Sequence, residues 1–332
     1  MPDNQAPNAN WDLLGHEWAV DLLKKHLTQG GPRHAYLITG PDGVGRRTLA
    51  LRFAQAINAP DRQYTPKLAA SQQFARMQHP DLSIVQREEG DRDIKIEAVR
   101  SLQHTLSLTP YMADFRIALL LDFEQASAGA SNALLKTLEE PPGRVVLLMT
   151  AESPDSLLPT ITSRCEVLRL RPMPLDALAK GLEDQFEYGV EEARLLAHIA
   201  AGKPGYALEL AAHPEILEAR TSLLDEQVAL LRGSRVERFA YAQTLAKDKD
   251  AFQQTMLVWL AYWRDILLRT AHSSAPLTNL DRQEEVEQLA QSLDAPTAHR
   301  VVSAIEDKLG ELRANANPRL AAEALMLQFP HF

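Results

Sequence analysis

Hydrophobic positions follow two different rhythms along this chain. In the first half they gather into short runs rich in branched residues: HAYLIT (His34–Thr39), DLSIVQ (Asp81–Gln86), RIALLLDF (Arg116–Phe123) and RVVLLMTA (Arg144–Ala151). Runs of this length suit parallel strands covered on both faces. Between them, Arg47–Ile57, Ile96–Thr109 and Ser127–Glu140 carry apolar residues three and four apart and predict amphipathic helices. A last short run, CEVLRL (Cys165–Leu170), closes the series. Strand–helix–strand alternation of this kind predicts an α/β fold, a doubly wound parallel sheet over residues 1–170.

After Arg171–Pro174 the strand runs stop and only helical spacing remains. LDALAKGLEDQF, EEARLLAHIAAG and, past a break at Gly202–Gly205, YALELAA predict a small helical domain over 171–212. Residues 213–332 predict an all-α domain with helices at Ile216–Arg232, Arg235–Lys247, Ala251–Ala271, Arg282–Leu293 and Thr297–Arg313, then PRLAAEALMLQF. His272–Asp281 reads as a loop inside that domain. Within Met256–Ala271, Leu257, Leu260, Trp263, Ile266 and Leu267 form an apolar stripe with Trp259 and Tyr262 alongside. Most of that stripe is expected to be core, and its aromatics are also the residue types that anchor subunit contacts.

The 332 residues suffice for two or three domains, and 45% apolar with 24% charged residues is the composition of a globular protein. A net charge of −9 argues against a chain coated in basic surface for nucleic acid. The single cysteine, Cys165, rules out an internal disulfide and a cysteine-cluster metal site. With no histidine near it in sequence, it reads as a small residue leading into a strand, not a nucleophile. The polar start MPDNQAPNANWDLL is no signal peptide, and no apolar run approaches the ~18 residues that span a bilayer. A soluble, cytoplasmic chain is expected.

The first candidate chemistry lies in LITGPDGVGRRTLALRFAQAI (Leu37–Ile57), which runs from a strand through glycines into a helix. Gly40, Gly43 and Gly45 have the layout of a phosphate loop, in which backbone N–H groups and a helix N-terminus cradle phosphates. The alternative at this point is a plain glycine-rich strand–helix turn. Two positions depart from a working loop. Arg46 stands where a lysine contacts the β- and γ-phosphates, keeping the charge on a larger planar fork. Arg47 stands where a Ser/Thr hydroxyl holds Mg²⁺, and it has no oxygen to give. Thr48 carries a hydroxyl, but one residue further on rotates it about 100° around the helix.

Such a loop also needs an aspartate at the end of a neighbouring strand, and Asp122 stands there, followed by Phe123. Glu124, two residues on, is expected to point elsewhere if the chain stays extended.

From Ser131 the text SNALLKTLEEPPGRVVLLMTAESPDSLLPTITSRCEVLRL resembles the clamp-loader branch of the AAA+ family. NALLKTLEEPP (Asn132–Pro142), LLMTAES (Leu147–Ser153) and LLPTITSRC (Leu157–Cys165) occur in the family's order, and LLGHEWAVDLLKKHL (Leu13–Leu27) resembles its N-terminal helix. GKPGYALEL and NANPRLAAEALML (Asn315–Leu327) resemble parts of its lid and collar, so the likeness covers nearly the whole chain. The resemblance implies an AAA+ phosphate-loop domain over 1–170, a lid over 171–212 and an oligomerising collar over 213–332.

It also implies roles. Thr150 falls at or near the sensor position, and where AAA+ ATPases commonly have glutamate this chain has Phe123. Arg164 of Ser-Arg-Cys falls where the family projects an arginine toward ATP bound by a neighbouring subunit. The lid's own arginine would fall at about Gly205 or Tyr206, neither of which can neutralise phosphate, and Lys203 is a poor substitute. Bacterial members of the branch carry a four-cysteine zinc module after the first helix. Here Asn58–Leu82 holds no cysteine and His79 as its one histidine. No zinc is expected, and Leu68, Phe74 and Met77 are the candidates to pack the segment.

Together these readings predict a subunit that does not hydrolyse ATP itself and serves a neighbour's ATP through Arg164. Its implied partners are clamp-loader ATPase subunits (gamma/tau-like), a delta-like clamp-opening subunit and, indirectly, the sliding clamp and primer-template DNA, with no membrane. No cofactor is required on this reading, while ATP or ADP bound without turnover stays open. Two alternatives also stand at this stage. One is an active gamma/tau-like ATPase with an unusual Arg-Arg loop. The other, disfavoured by the acidic charge and the lack of a helix-turn-helix signature, is a DNA-binding regulator.

Overall fold

The computed structural model describes residues 10–331. The branched runs form five parallel strands: β1 (Ala35–Thr39), β2 (Leu82–Val85), β3 (Arg116–Leu120), β4 (Val145–Ala151) and β5 (Glu166–Arg169). Their order across the sheet is β2-β3-β4-β1-β5, so β1 is flanked by β4 and β5, with Tyr36 opposite both Leu148 and Glu166. Every residue of β1, β3 and β4 is buried. The period of two then sorts them onto two faces. Tyr36, Ile38, Ile117, Leu119, Val146 and Leu148 meet one set of helices, and Leu37, Ala118, Leu120, Leu147 and Met149 meet the other.

The first face is covered by α1 (Glu17–Thr28) and α2 (Arg46–Ile57), through Leu23, Leu49 and Phe53. Next in the chain comes α3 (Ala69–Ala75). The second face is covered by α4 (Ile96–Leu106) and α5 (Ala128–Glu139), through Val99, Leu102, Leu134 and Leu138. A single turn, α6 (Pro159–Thr162), precedes β5.

The rest is helical: α7 (Leu175–Phe186), α8 (Val190–Ile199), α9 (Pro204–Ala212), α10 (Pro214–Arg232), α11 (Arg235–Leu245), α12 (Lys249–Thr270), α13 (Gln283–Ser292), α14 (Ala295–Arg313) and α15 (Pro318–Gln328). Packing divides the chain into two units. Among the described residues, one holds those through Gly181 together with Gly202–Tyr206, and the other holds Leu182–Ala201 with those from Ala207 on. The stretch 171–212 is thus shared between them.

In the second unit α12 is the central element. Its inward face is Phe252, Met256, Trp259, Tyr262, Trp263 and Ile266, all fully buried. That face is rotated from the stripe expected from spacing, since Leu257 is exposed while Leu260 and Leu267 are half-buried. The two tryptophans and Tyr262 carry more apolar area than the leucines, so the helix turns to cover them. Buried Asp265 accepts N–H groups from Thr278 and Asn279, and Arg220 pairs with Asp281 at 2.8 Å. These polar contacts pin the 272–281 loop. The sheet domain, however, carries the candidate chemistry.

Candidate functional site

The turn after β1 has the shape its glycines require. Gly40, Gly43 and Gly45 take φ of 147°, 75° and 106°, a region costly for other residues. Two of them also sit where no side chain fits. A Cβ on Gly40 would meet the Leu170 carbonyl oxygen at 2.6 Å, and one on Gly43 would meet the Tyr206 Cβ at 2.6 Å. The loop is braced from below by His16, whose Nε2 lies 2.8 Å from the Val44 carbonyl. A carbonyl can only accept, so Nε2 carries the proton. Burial lowers the pKa of His16 and keeps the ring neutral, although that hydrogen bond opposes the shift.

Arg46 opens α2, and its side chain is 9% exposed. It does not reach outward: its Nη2 lies 3.0 Å from Asp122 Oδ1, with exposed Asp42 at 3.6 Å. Asp122 sits in a left-handed turn just beyond β3 (φ 47°). Thr150, at the end of β4, meets it twice: its hydroxyl accepts the Asp122 N–H at 2.8 Å and faces Oδ1 at 3.4 Å. Three of the predicted residues, Arg46, Asp122 and Thr150, therefore form one cluster beside Gly40–Gly45. In it a guanidinium is already bound to the carboxylate that would organise a metal.

The other two predicted residues face away. Arg47 is exposed and reaches the Met77 sulfur at 3.1 Å, and Thr48 is exposed as well. Phe123 is fully buried in the sheet's second layer. Glu124 corrects a sequence expectation. The chain does not stay extended after Asp122 but makes a 3₁₀ turn over Phe123–Gln125, which brings Glu124 back within electrostatic range of Asp122 and Arg46. Burial, with the Asp122 charge added, raises its pKa. A proline, turn or glycine signal that could have forecast this turn is absent from the sequence FEQ.

The segment around Gly205 and Tyr206 closes on the loop. The Tyr206 N–H donates to the Gly43 carbonyl at 3.0 Å, and a Cβ on Gly205 would meet that same oxygen at 2.8 Å. Lys203 lies over the Tyr206 ring at 4.8 Å, and burial lowers its pKa against the opposing pull of Asp42. The residues present do not fit magnesium-assembled phosphoryl transfer. The hydroxyl position is a solvent-facing arginine, the acid is ion-paired, and the residue after it is in the core.

Arg164 lies elsewhere. In a parallel sheet every strand points the same way, and Thr39, the last residue of β1, is in register with Arg169, the last of β5. Gly40–Gly45 thus leaves one end of the sheet, while Arg164 precedes β5 at the other. One strand length separates them, roughly 15–20 Å along the strands. The Arg164 side chain is 35% exposed, its Nη2 2.8 Å from Glu139 Oε1 and its Nη1 2.9 Å from the Thr160 carbonyl. Next to it, Cys165 donates to the Ile161 carbonyl, and burial pushes its thiol up to about 12, a range in which it stays protonated and inert.

The cysteine-free excursion is held by aromatic packing. Phe74 is 1% exposed and stacks on His79 with centroids 4.1 Å apart, while Leu68 and Met77 are only half-buried. His79 accepts the Asp81 N–H through Nδ1 at 3.0 Å, so the residue read as an insufficient metal ligand is a packing partner. Among the described residues no group of three or more His, Cys, Asp or Glu side chains is placed to hold a metal ion.

The sheet order, the glycine loop after β1 and the acid after β3 define an AAA+-type phosphate-loop domain, followed by helices. Comparison with known proteins makes the class specific. Residues 15–174 match the family model described as DNA polymerase III, delta subunit, and residues 214–331 match DNA polymerase III, delta subunit, C terminal. DNA polymerase III subunit delta' of Pseudomonas aeruginosa is 31% identical over 95% of this chain and 97% of its own length. The Bacillus subtilis delta' subunit is 27% identical over 93% and 94%, and that organism's tau subunit is 24% identical over 96% of this chain and 60% of its own. The chain belongs to the delta-prime family of DNA polymerase III subunits, a component of the clamp loader.

Proposed function

We propose that this subunit does not turn over ATP and instead presents Arg164 to ATP held by a neighbouring ATPase subunit of the clamp loader. The complex so formed would load the sliding clamp onto primed DNA. The observation that carries this reading is the contrast between the two arginines: Arg46 is ion-paired to Asp122 at 3.0 Å beside the phosphate loop, while Arg164 is partly exposed at the other end of the sheet. A guanidinium delivered in trans neutralises charge developing on the transferred phosphoryl group. No nucleotide, magnesium or zinc is required by this chain on this reading. Its direct partners are gamma/tau-like and delta-like subunits, and the clamp and primer-template DNA are reached through the assembly.

The test is a clamp loader reconstituted with its ATPase subunits and the Arg164→Ala variant. Clamp- and DNA-stimulated ATP turnover is expected to fall while the complex still assembles. Turnover at the wild-type level would sink the proposal, and so would ATP turnover by the purified chain alone that disappears in Arg46→Ala.

A further inference from the structure

Glu139 is the last residue of α5, followed by Glu140, Pro141 and Pro142. A carboxylate at a helix C-terminus faces the negative end of the helix dipole, so this is a poor place for it on local grounds. Its partner Arg164 is 35% exposed and Glu139 itself 53% exposed, and pairs that open to water contribute little to stability. Local helix electrostatics therefore disfavour Glu139 here, and the exposed pair adds little to the fold. What it does is geometric. Arg164 Nη2 is tied to Glu139 at 2.8 Å and Nη1 to the Thr160 carbonyl at 2.9 Å, so two anchors on two elements fix the plane of the fork. A guanidinium has five N–H donors, and those not engaged by these anchors remain for an incoming anion.

We infer that Glu139 is a positioning residue that holds the Arg164 guanidinium ready for a neighbouring subunit's phosphate. The inference rests on the trans role proposed for Arg164. A long arginine side chain on a surface turn samples many rotamers, and ordering it beforehand removes that cost from the reacting complex. Glu139 touches no nucleotide and acts through Arg164.

The test uses the reconstituted clamp loader and four forms of this subunit: wild type, Glu139→Ala, Arg164→Ala and the double variant. Glu139→Ala is expected to lower kcat for ATP by about 3- to 10-fold with KM little changed, because orientation is lost and not nucleotide binding. Glu139→Gln, which keeps an acceptor oxygen for Nη2, is expected to fall between wild type and Glu139→Ala. In the Arg164→Ala background, Glu139→Ala is expected to have no further effect. Unchanged or increased turnover in Glu139→Ala, with Arg164→Ala impaired, overturns the inference alone. An equal loss in both backgrounds also overturns it, since Glu139 would then act through the fold. Full activity in Arg164→Ala overturns the trans role itself.

Discussion

Arg46 and Arg164 stand at opposite ends of one parallel sheet, and their surroundings differ in kind. Arg46 is nine-tenths buried, ion-paired to Asp122, and set against a loop that Tyr206 closes. Arg164 is partly exposed, held at its tips by a surface glutamate and a carbonyl. The same side chain is thus an internal counter-ion at one end and an outward-facing group at the other. Composition cannot separate the two roles, because a guanidinium is always charged. What separates them is burial and the partner each one finds.

The sharpest way to break this comparison is at the outward end. Arg164→Ala is expected to slow hydrolysis at the neighbouring ATP site on the order of 10³-fold or more, while leaving the subunit's thermal unfolding unchanged. Single-turnover kinetics of the reconstituted complex, beside a melting curve of the isolated chain, check both halves. The inward end should give the reverse pattern. Arg46→Ala is expected to cost about 1–2 kcal/mol of stability, less than a fully buried pair would because Asp122 is 45% exposed. Urea unfolding measures that loss, and clamp-loader turnover should stay at its wild-type rate.

A smaller effect sharpens the electrostatics of the inward end. The folded-state pKa of Glu124 is raised, so its contribution to stability is fully present below the ordinary carboxylate range and is lost as pH rises through the folded value. Glu124→Gln removes that dependence. It is expected to gain on wild type by under about 1 kcal/mol between acid and neutral pH, as read from urea midpoints across that range. The smallest expected effect is none at all. Arg46→Lys with Arg47→Thr restores the loop's side chains, yet Phe123 stays in the core and Asp122 gains no acidic neighbour in its place. The doubly substituted chain alone should show no ATP turnover in a coupled assay, and measurable turnover would mean that the two loop positions alone were responsible for the loss.

The strands, the sheet's burial and the glycine turn were legible because they depend on local pattern. Residues two apart in β1 fall on one face wherever that strand is placed, and Gly40, Gly43 and Gly45 announce their turn by spacing. The ion pair was not legible, because Arg46 and Asp122 are far apart in sequence and meet only once β1 and β3 lie in one sheet with β4 between them. Period-two reasoning points Glu124 away from Asp122 only while the chain remains extended, and it bends immediately after Asp122. His79, which alone cannot make a zinc site, packs its ring face on Phe74, and a stacking partner cannot be chosen from sequence without knowing what lies above it. Tyr206, which has no charge to offer a phosphate, touches the loop through its backbone N–H, a contact that no side-chain pattern announces.

The hydrogen bond from Tyr206 to Gly43 has a consequence for how the protein is made. Gly43 leaves the ribosome early, but its partner follows about 160 residues later. At typical bacterial rates of roughly 5–20 residues per second, that is a delay on the order of ten to thirty seconds. During this interval the sheet strands can emerge and pair while the phosphate loop waits, lacking the segment that covers it. The loop is therefore expected to gain its full set of contacts only after synthesis has passed Tyr206.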